Sequence, residues 1–187
     1  MLIISCEVNN MGKVLLYIAI SLDGFIATPD GGVVWLDRFN LPDEDYGYKA
    51  MYARLGAVVM GGITYRQVLG FGHWYDGVKC YIVTRGTLDN PPQGDVTASS
   101  GDMRDLVTKI RAETDKDIWL VGGADLVAQF IEHNLIDEYH ISIIPVVLGR
   151  GIPLSKGASL EKSQLVKLDT VKSYPNGVVQ VIYHKDS

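Results

Sequence analysis

The sequence predicts an α/β fold: a central, mostly parallel mixed sheet with helices on both faces and a C-terminal antiparallel hairpin. Three observations predict it. Strand-like and helix-like segments alternate through residue 144, the order of a parallel sheet with crossover helices. Two of those strands run into Gly-Gly pairs and then into helices. Near the end, Tyr174-Pro175-Asn176-Gly177 separates two strand-like runs, and Asn-Gly is a strong hairpin signal.

Val14–Ser21 is a continuous apolar run that suits a strand buried on both faces. Asp23-Gly24 ends it, and Phe25–Ala27 is a short second strand. Thr28–Gly32 is rich in turn residues and is expected to be a mobile loop. In residues 43–54, Tyr48, Met51, Tyr52 and Leu55 recur at helical spacing, so a helix with one apolar stripe is expected. Ala57–Met60 reads as a buried strand, Thr64–Leu69 as a short helix and Lys79–Thr84 as a strand. Met103, Leu106, Val107 and Ile110 mark a helix over 102–113. Ile118–Val121 is a strand, 124–133 a helix, and Glu138–Ile144 a strand. Val166–Ser173 and Val178–His184 form the hairpin.

The 187 residues are 47% apolar and 21% charged, which excludes a disordered chain. Seventeen Lys+Arg against 22 Asp+Glu leave a net charge of −5, which argues against a general nucleic-acid binder. No apolar run reaches the roughly 18 residues of a membrane span. Residues 1–12 read as an N-terminal extension, with Met11 a second candidate start, and 13–187 as a single domain. The chain reads as cytoplasmic. Cys6 and Cys80 make no disulfide framework, and Cys80, inside an apolar run, reads as a buried free thiol. His73, His133, His140 and His184 have no metal-ligand spacing, so no metal is expected.

The two glycine pairs occupy equivalent places: Val58-Val59-Met60 leads to Gly61-Gly62-Ile63-Thr64, and Trp119-Leu120-Val121 to Gly122-Gly123-Ala124-Asp125. Glycine admits close backbone approach by a ligand, and a helix start offers free N–H groups to phosphate. Ligands of such sheets sit at the carboxyl ends of strands. Two such turns suit a ligand with two phosphates. Each pair serves equally as a plain tight turn. Neither a GxGxxG fingerprint nor a P-loop is present.

These segments resemble a known family. Ile18 through Ala27, the following Trp35-Leu36, Val58 through Tyr65, Lys79–Arg85 and Val121 through Ala124 resemble the successive motifs of dihydrofolate reductase-like proteins. Pro145-Val146-Val147-Leu148-Gly149-Arg150-Gly151 resembles the reductase, C-terminal domain of bacterial bifunctional riboflavin biosynthesis proteins and the uncharacterised reductases grouped with it. The resemblance implies an NADPH-dependent reductase of a small pterin- or pyrimidine-like heterocycle, working as a homodimer. It implies that Ala19, Ile26, Gly61, Gly62, Ile63, Thr64, Thr84, Arg85, Val121, Gly122, Gly123, Ala124, Asp125 and Leu126 hold the cofactor. It also implies a cis peptide at Gly122–Gly123, a lid at 28–34, and Trp35, Tyr48 and Tyr52 around the substrate.

Asp45, sixteen residues before Gly61, matches the acid that holds the pterin in dihydrofolate reductases, and is the candidate catalytic residue. Asp43-Glu44-Asp45 is also what helix-dipole and capping preferences place at a helix start. The family's arginine for the 2′-phosphate is Gly62 here; Arg85 and Arg66 are candidates to replace it. Two other readings stay open: a true dihydrofolate reductase or ribosylamino-pyrimidine reductase, and a nucleotide-binding module without catalysis. The deaminase zinc signature that accompanies the riboflavin-pathway reductase does not occur. The apolar stretch Ile141–Leu148, followed by Gly149-Arg150-Gly151, is the expected dimer segment.

Overall fold

In the computed structural model, the residues described are 11–72, 74–88, 94–159, 161 and 163–186. Cys6 and His73 lie outside them. The elements run β1 (Val14–Ser21), β2 (Phe25–Ala27), a 3-10 turn (Val34–Phe39), α1 (Tyr48–Ala53), β3 (Leu55–Gly61), α2 (Gly62–Leu69), β4 (Lys79–Val83) and β5 (Val96–Ser99). They continue as α3 (Met103–Glu113), β6 (Asp117–Gly122), α4 (Ala124–Glu132), β7 (Glu138–Ile144), β8 (Ile152–Pro153), β9 (Val166–Ser173) and β10 (Val179–Lys185).

Eight strands form one sheet in the order β5-β4-β3-β6-β1-β7-β10-β9, and β2 pairs with β8 separately. The strands from β5 to β7 are parallel; β10 and β9 run antiparallel. Alternation along the central strands divides the interior into two cores. Val14 and Leu16 of β1 face Met103, Val107 and Ile110 of α3 and Val127 and Phe130 of α4. Leu15 and Tyr17 face the other way, toward Met51 of α1 and Tyr65 and Val68 of α2. An apolar run that reads as doubly buried is thus buried on both faces, by helices, as parallel strands are. Cys80 is fully buried in the second core, and burial pushes its thiol up to about 12. Among the described residues no helix is long and apolar enough to cross a membrane.

Several boundaries differ from the sequence reading. The helix expected over 43–54 is only Tyr48–Ala53, because Tyr46 and Gly47 take positive φ values of 53° and 84° and break the run. Leu55, the last member of its apolar stripe, belongs to β3. β5 and the two-residue β8 carry no clear alternation and were not expected. The 28–32 loop is a compact turn rather than a free one. Thr28 N–H donates to Gly32 O at 3.0 Å, Gly31 N–H to Thr28 O at 2.9 Å, and Gln67 Nε2 on α2 reaches Gly31 O at 2.9 Å.

The segment expected to form a dimer contact is partly inside the fold and partly exposed, with Val147 solvent-facing. Ile141 and Ile144 sit in β7 between β1 and β10 and are buried, so their apolar surface is used within the chain. The exposed strand is β9, whose eight residues are all solvent-facing.

Candidate functional site

A cleft of about 1070 Å³ crosses the carboxyl ends of β4, β3, β6 and β1. Three strand spacings of roughly 4.8 Å make that crossing about 14 Å long. Its floor is the pair of glycine turns. Gly61 ends β3 and Gly62 opens α2; Gly122 ends β6 and Gly123 precedes α4. The turns lie side by side because β3 and β6 are hydrogen-bonded neighbours, with Met60 opposite Gly122. The Gly122–Gly123 peptide is cis.

Two features make these turns different from ordinary helix starts. Neither α2 nor α4 has a side-chain cap, whereas α3 is capped by Asp102, which accepts from Arg104 N–H at 2.8 Å. The first N–H groups of a helix have no partner within it, so two uncapped helices present donors to the cleft. The glycines also keep the floor low. A Cβ on Gly62 would stand 3.4 Å from Thr84 Oγ1 and 3.9 Å from Arg66 Nη1, filling the space between them.

Cations and hydroxyls gather over β4. Arg85 lines the cleft, and a side recess of about 220 Å³ next to Gly62 is lined by Arg66, Thr84 and Thr87. Lys156, whose backbone N–H donates to Ala124 O, brings a third cation to the α4 turn. Asp125 in the first turn of α4 also lines the cleft. Over β1 the lining becomes neutral: Ile18, Ala19, Ile26, Leu36, Tyr48 and Tyr75. One wall is the β2–β8 ribbon, where Ala27 pairs with Ile152. Asp23 ties that wall to β1: its carboxylate accepts from Ser21 Oγ at 2.7 Å and from the N–H groups of Leu148 and Gly149 at 3.1 and 2.7 Å. Those bonds, the Ser21 hydroxyl first, hold its pKa below the ordinary value.

Of the residues expected to hold a cofactor, Ala19, Ile26, Gly61, Gly62, Ile63, Thr64, Arg85, Val121, Gly123, Ala124, Asp125 and Leu126 line this one cleft. Thr84 lines the side recess, and Gly122 forms the cis peptide beneath. Of the expected substrate residues only Tyr48 lines the cleft. Trp35 packs with Phe39, Ile144 and Tyr174 in a third apolar cluster, and its buried indole N–H makes no hydrogen bond among the described residues. Tyr52 packs against the second core and donates to Asp76 O at 3.0 Å. Asp45 does not line the cleft either. Its carboxylate accepts from Gly47 N–H at 3.0 Å and Lys49 N–H at 3.1 Å, and the Lys49 bond leads the causes that lower its pKa. It holds the backbone leading into α1, whose N-cap residue is Gly47. Sequence reasoning missed Gln67, Gln129, Lys156 and Leu36 as cleft residues. Only the tertiary fold brings them there; Leu36 stands in the Trp35-Leu36 motif, but no local pattern marks the other three.

A second cavity, about 560 Å³, opens at the opposite end of the same strands, lined by Leu55, Lys79, Tyr81 and Glu113 among others. Three of its polar groups are already paired with one another: Lys79 Nζ and Tyr81 Oη reach Glu113 at 2.8 and 2.6 Å. The cleft over the glycine turns is therefore the candidate site.

Comparison with known proteins gives the family. Two Bacillus subtilis (strain 168) proteins, both uncharacterised, are similar in sequence. YwjB is 41% identical over 144 residues, covering 76% of this chain and 82% of its own length. YyaP is 28% identical over 188 residues, covering 92% and 94%. Among solved structures, a candidate riboflavin biosynthesis protein from Shewanella sp. PV-4 superposes with a TM-score of 0.83 at 29% identity, over 94% of this chain and 99% of that one. The Thermotoga maritima diaminohydroxyphosphoribosylaminopyrimidine deaminase/5-amino-6-(5-phosphoribosylamino)uracil reductase shares the fold, with a TM-score of 0.68 at 16% identity over 94% of this chain and 57% of that protein. The family described as RibD C-terminal domain matches residues 12–180, and the chain belongs to that family.

Proposed function

We propose that the chain is an NADPH-dependent reductase that transfers hydride to a small, flat heterocycle of the pyrimidine or pterin kind. The observation that carries this reading is the pair of uncapped strand–glycine–helix turns on adjacent strands, opening into one cleft long enough for a dinucleotide. The residues fit the cofactor. Backbone N–H groups at Ile63, Thr64, Ala124 and Asp125 would hold the two linking phosphates, assisted by the cations of Arg85 and Lys156. The Asp125 carboxylate suits a ribose hydroxyl. Arg66 with the hydroxyls of Thr84 and Thr87 would receive the 2′-phosphate in the recess beside Gly62. Ala19 and Ile26 would flank the nicotinamide at the neutral end. Bound there, the reduced nicotinamide supplies the hydride; the chain orients it, excludes water and presents the acceptor ring.

The uracil reductase activity named for the Thermotoga relative supports the substrate class, as does family membership. We read Asp45 as a holder of the backbone at the start of α1, outside the cleft lining, so a dihydrofolate reductase mechanism through that acid is not favoured. Titration with NADPH, followed by tryptophan fluorescence, tests the cofactor. Saturable binding with turnover of a pyrimidine or pterin supports the proposal. No change at millimolar NADPH overturns it, and binding without any turnover favours a nucleotide-binding module. A homodimer through the exposed β9 edge, with Val166, Leu168 and Val171 on it, belongs to the same reading, as does a cytoplasmic location.

A further inference from the structure

The aromatic residues beneath the β1 end of the cleft are not equivalent. Tyr17 donates its hydroxyl to Tyr46 O at 3.2 Å, Tyr52 donates to Asp76 O at 3.0 Å, and Trp119 Nε1 donates to Tyr17 O at 3.1 Å. Tyr48 packs among all three rings, with centroids 6.4 Å from Tyr17, 5.5 Å from Tyr52 and 5.9 Å from Trp119. Yet 37% of its surface stays exposed, it lines the cleft, and its hydroxyl makes no hydrogen bond to a described residue. Burial raises the pKa of its phenol, which stays protonated at neutral pH.

Its position is fixed from both sides. Two residues earlier, Tyr46 O accepts from Tyr17 Oη and from Gln180 Nε2 at 2.9 Å. Tyr46 Oη donates to Phe39 O at 2.5 Å and accepts from Asn176 Nδ2 at 2.6 Å. The Asp45 carboxylate then holds the first turn of α1. A donor oriented this firmly, with no acceptor among the described residues, is the arrangement of a preorganised ligand contact.

We propose that Tyr48 reads the substrate ring: its face packs on a flat heteroaromatic and its O–H donates to an acceptor atom of that ring, a carbonyl oxygen or ring nitrogen. This rests on the reading of the cleft as a reductase site whose substrate lies over β1. It adds that Tyr48 selects for a planar ring with an acceptor on its edge.

The test uses 5,6-diaminouracil, a flat ring with two carbonyls, titrated by calorimetry against the full chain in the presence and absence of NADPH. Tyr48→Phe keeps the ring and removes the hydroxyl, so its affinity should fall about tenfold at most, the range of one net hydrogen bond. Tyr48→Leu should lose more, because the aromatic face goes as well. Tyr52→Phe, whose hydroxyl is spent on Asp76, should bind as the wild type does. All three should keep NADPH affinity, and Tyr48→Phe should also keep the melting temperature, which a merely structural role of its hydroxyl would move. The proposal is overturned if Tyr48→Phe binds the probe as tightly as wild type, or if wild type binds it nowhere. Loss of NADPH binding with Tyr48-dependent probe binding intact would instead sink the cofactor reading and leave Tyr48 standing.

Discussion

Gly151→Ala tests how rigidly the cleft wall is built. A Cβ on Gly151 would stand 2.3 Å from Ala27 O and 3.0 Å from Phe25 Cβ and Cγ. A normal carbon–oxygen contact is on the order of 1 Å longer than that, judged against the 3.3 Å of even a close C–H···O approach. The obstructing atom is backbone, in a ribbon where Ala27 pairs with Ile152, so it cannot swing aside as a side chain would. β8 must therefore move away from β2 by about 1 Å. Overpacking of this kind costs about 1–3 kcal/mol. At 2–4 °C per kcal/mol for a chain of this size, the melting temperature should drop by roughly 2–12 °C. Ile26, Ala27, Ile152 and Pro153 all line the cleft, so the same shift misplaces the wall beside the proposed nicotinamide end. Such a displacement can cost about 10²-fold in rate. Thermal unfolding and NADPH-dependent turnover measure the two effects. Gly62→Ala is the control for stability alone, since its Cβ meets only ordinary contacts, at 3.4 Å and beyond. Native stability and native turnover in Gly151→Ala would show that the β2–β8 wall yields freely, contrary to the geometry.

Arg66→Ala should weaken NADPH binding while leaving NADH binding unchanged; an equal loss for both would place the 2′-phosphate elsewhere. Glu138, 4% exposed, is met by Lys13 Nζ at 2.7 Å, His140 Nε2 at 2.9 Å and Arg54 Nη2 at 3.3 Å. Burial alone would raise its pKa, but the bonds from His140 and Lys13 and the charge of Arg54 hold it well below the ordinary carboxylate value. A depressed carboxylate stabilises the fold above its unfolded pKa, near 4.5, and that contribution fades as pH falls toward the folded value. Glu138→Gln should thus lose about 3 kcal/mol at pH 7 and show a flatter acid limb in urea melts; an unchanged pH profile would count against it. Asp45→Asn should leave turnover unchanged, because both residue types accept from the α1 backbone; abolished turnover with an intact fold would make Asp45 catalytic. Sedimentation at micromolar concentration should give twice the 20.6 kDa chain mass, and a monomer would remove the β9 interface.

The order of strands and helices, and the two glycine turns that floor the cleft, were legible in the residues alone. They depend on local periodicity and on backbone freedom, which a run of seven to ten residues already encodes. Val14–Ser21 read as a strand to the residue from its continuous apolar run, and Glu138–Ile144 from its alternation. Asp45, Trp35 and Tyr52 show the other side. Their residue types suit a site, yet a positive φ at Tyr46, a third apolar cluster and a carbonyl at Asp76 direct them away from the cleft. Gln67 and Lys156 reach the cleft from segments with no motif at all. Which residues face one another across 14 Å of sheet edge is set by strand order and by the register of β3 on β6. Those are long-range pairings, and no single stretch of sequence contains them.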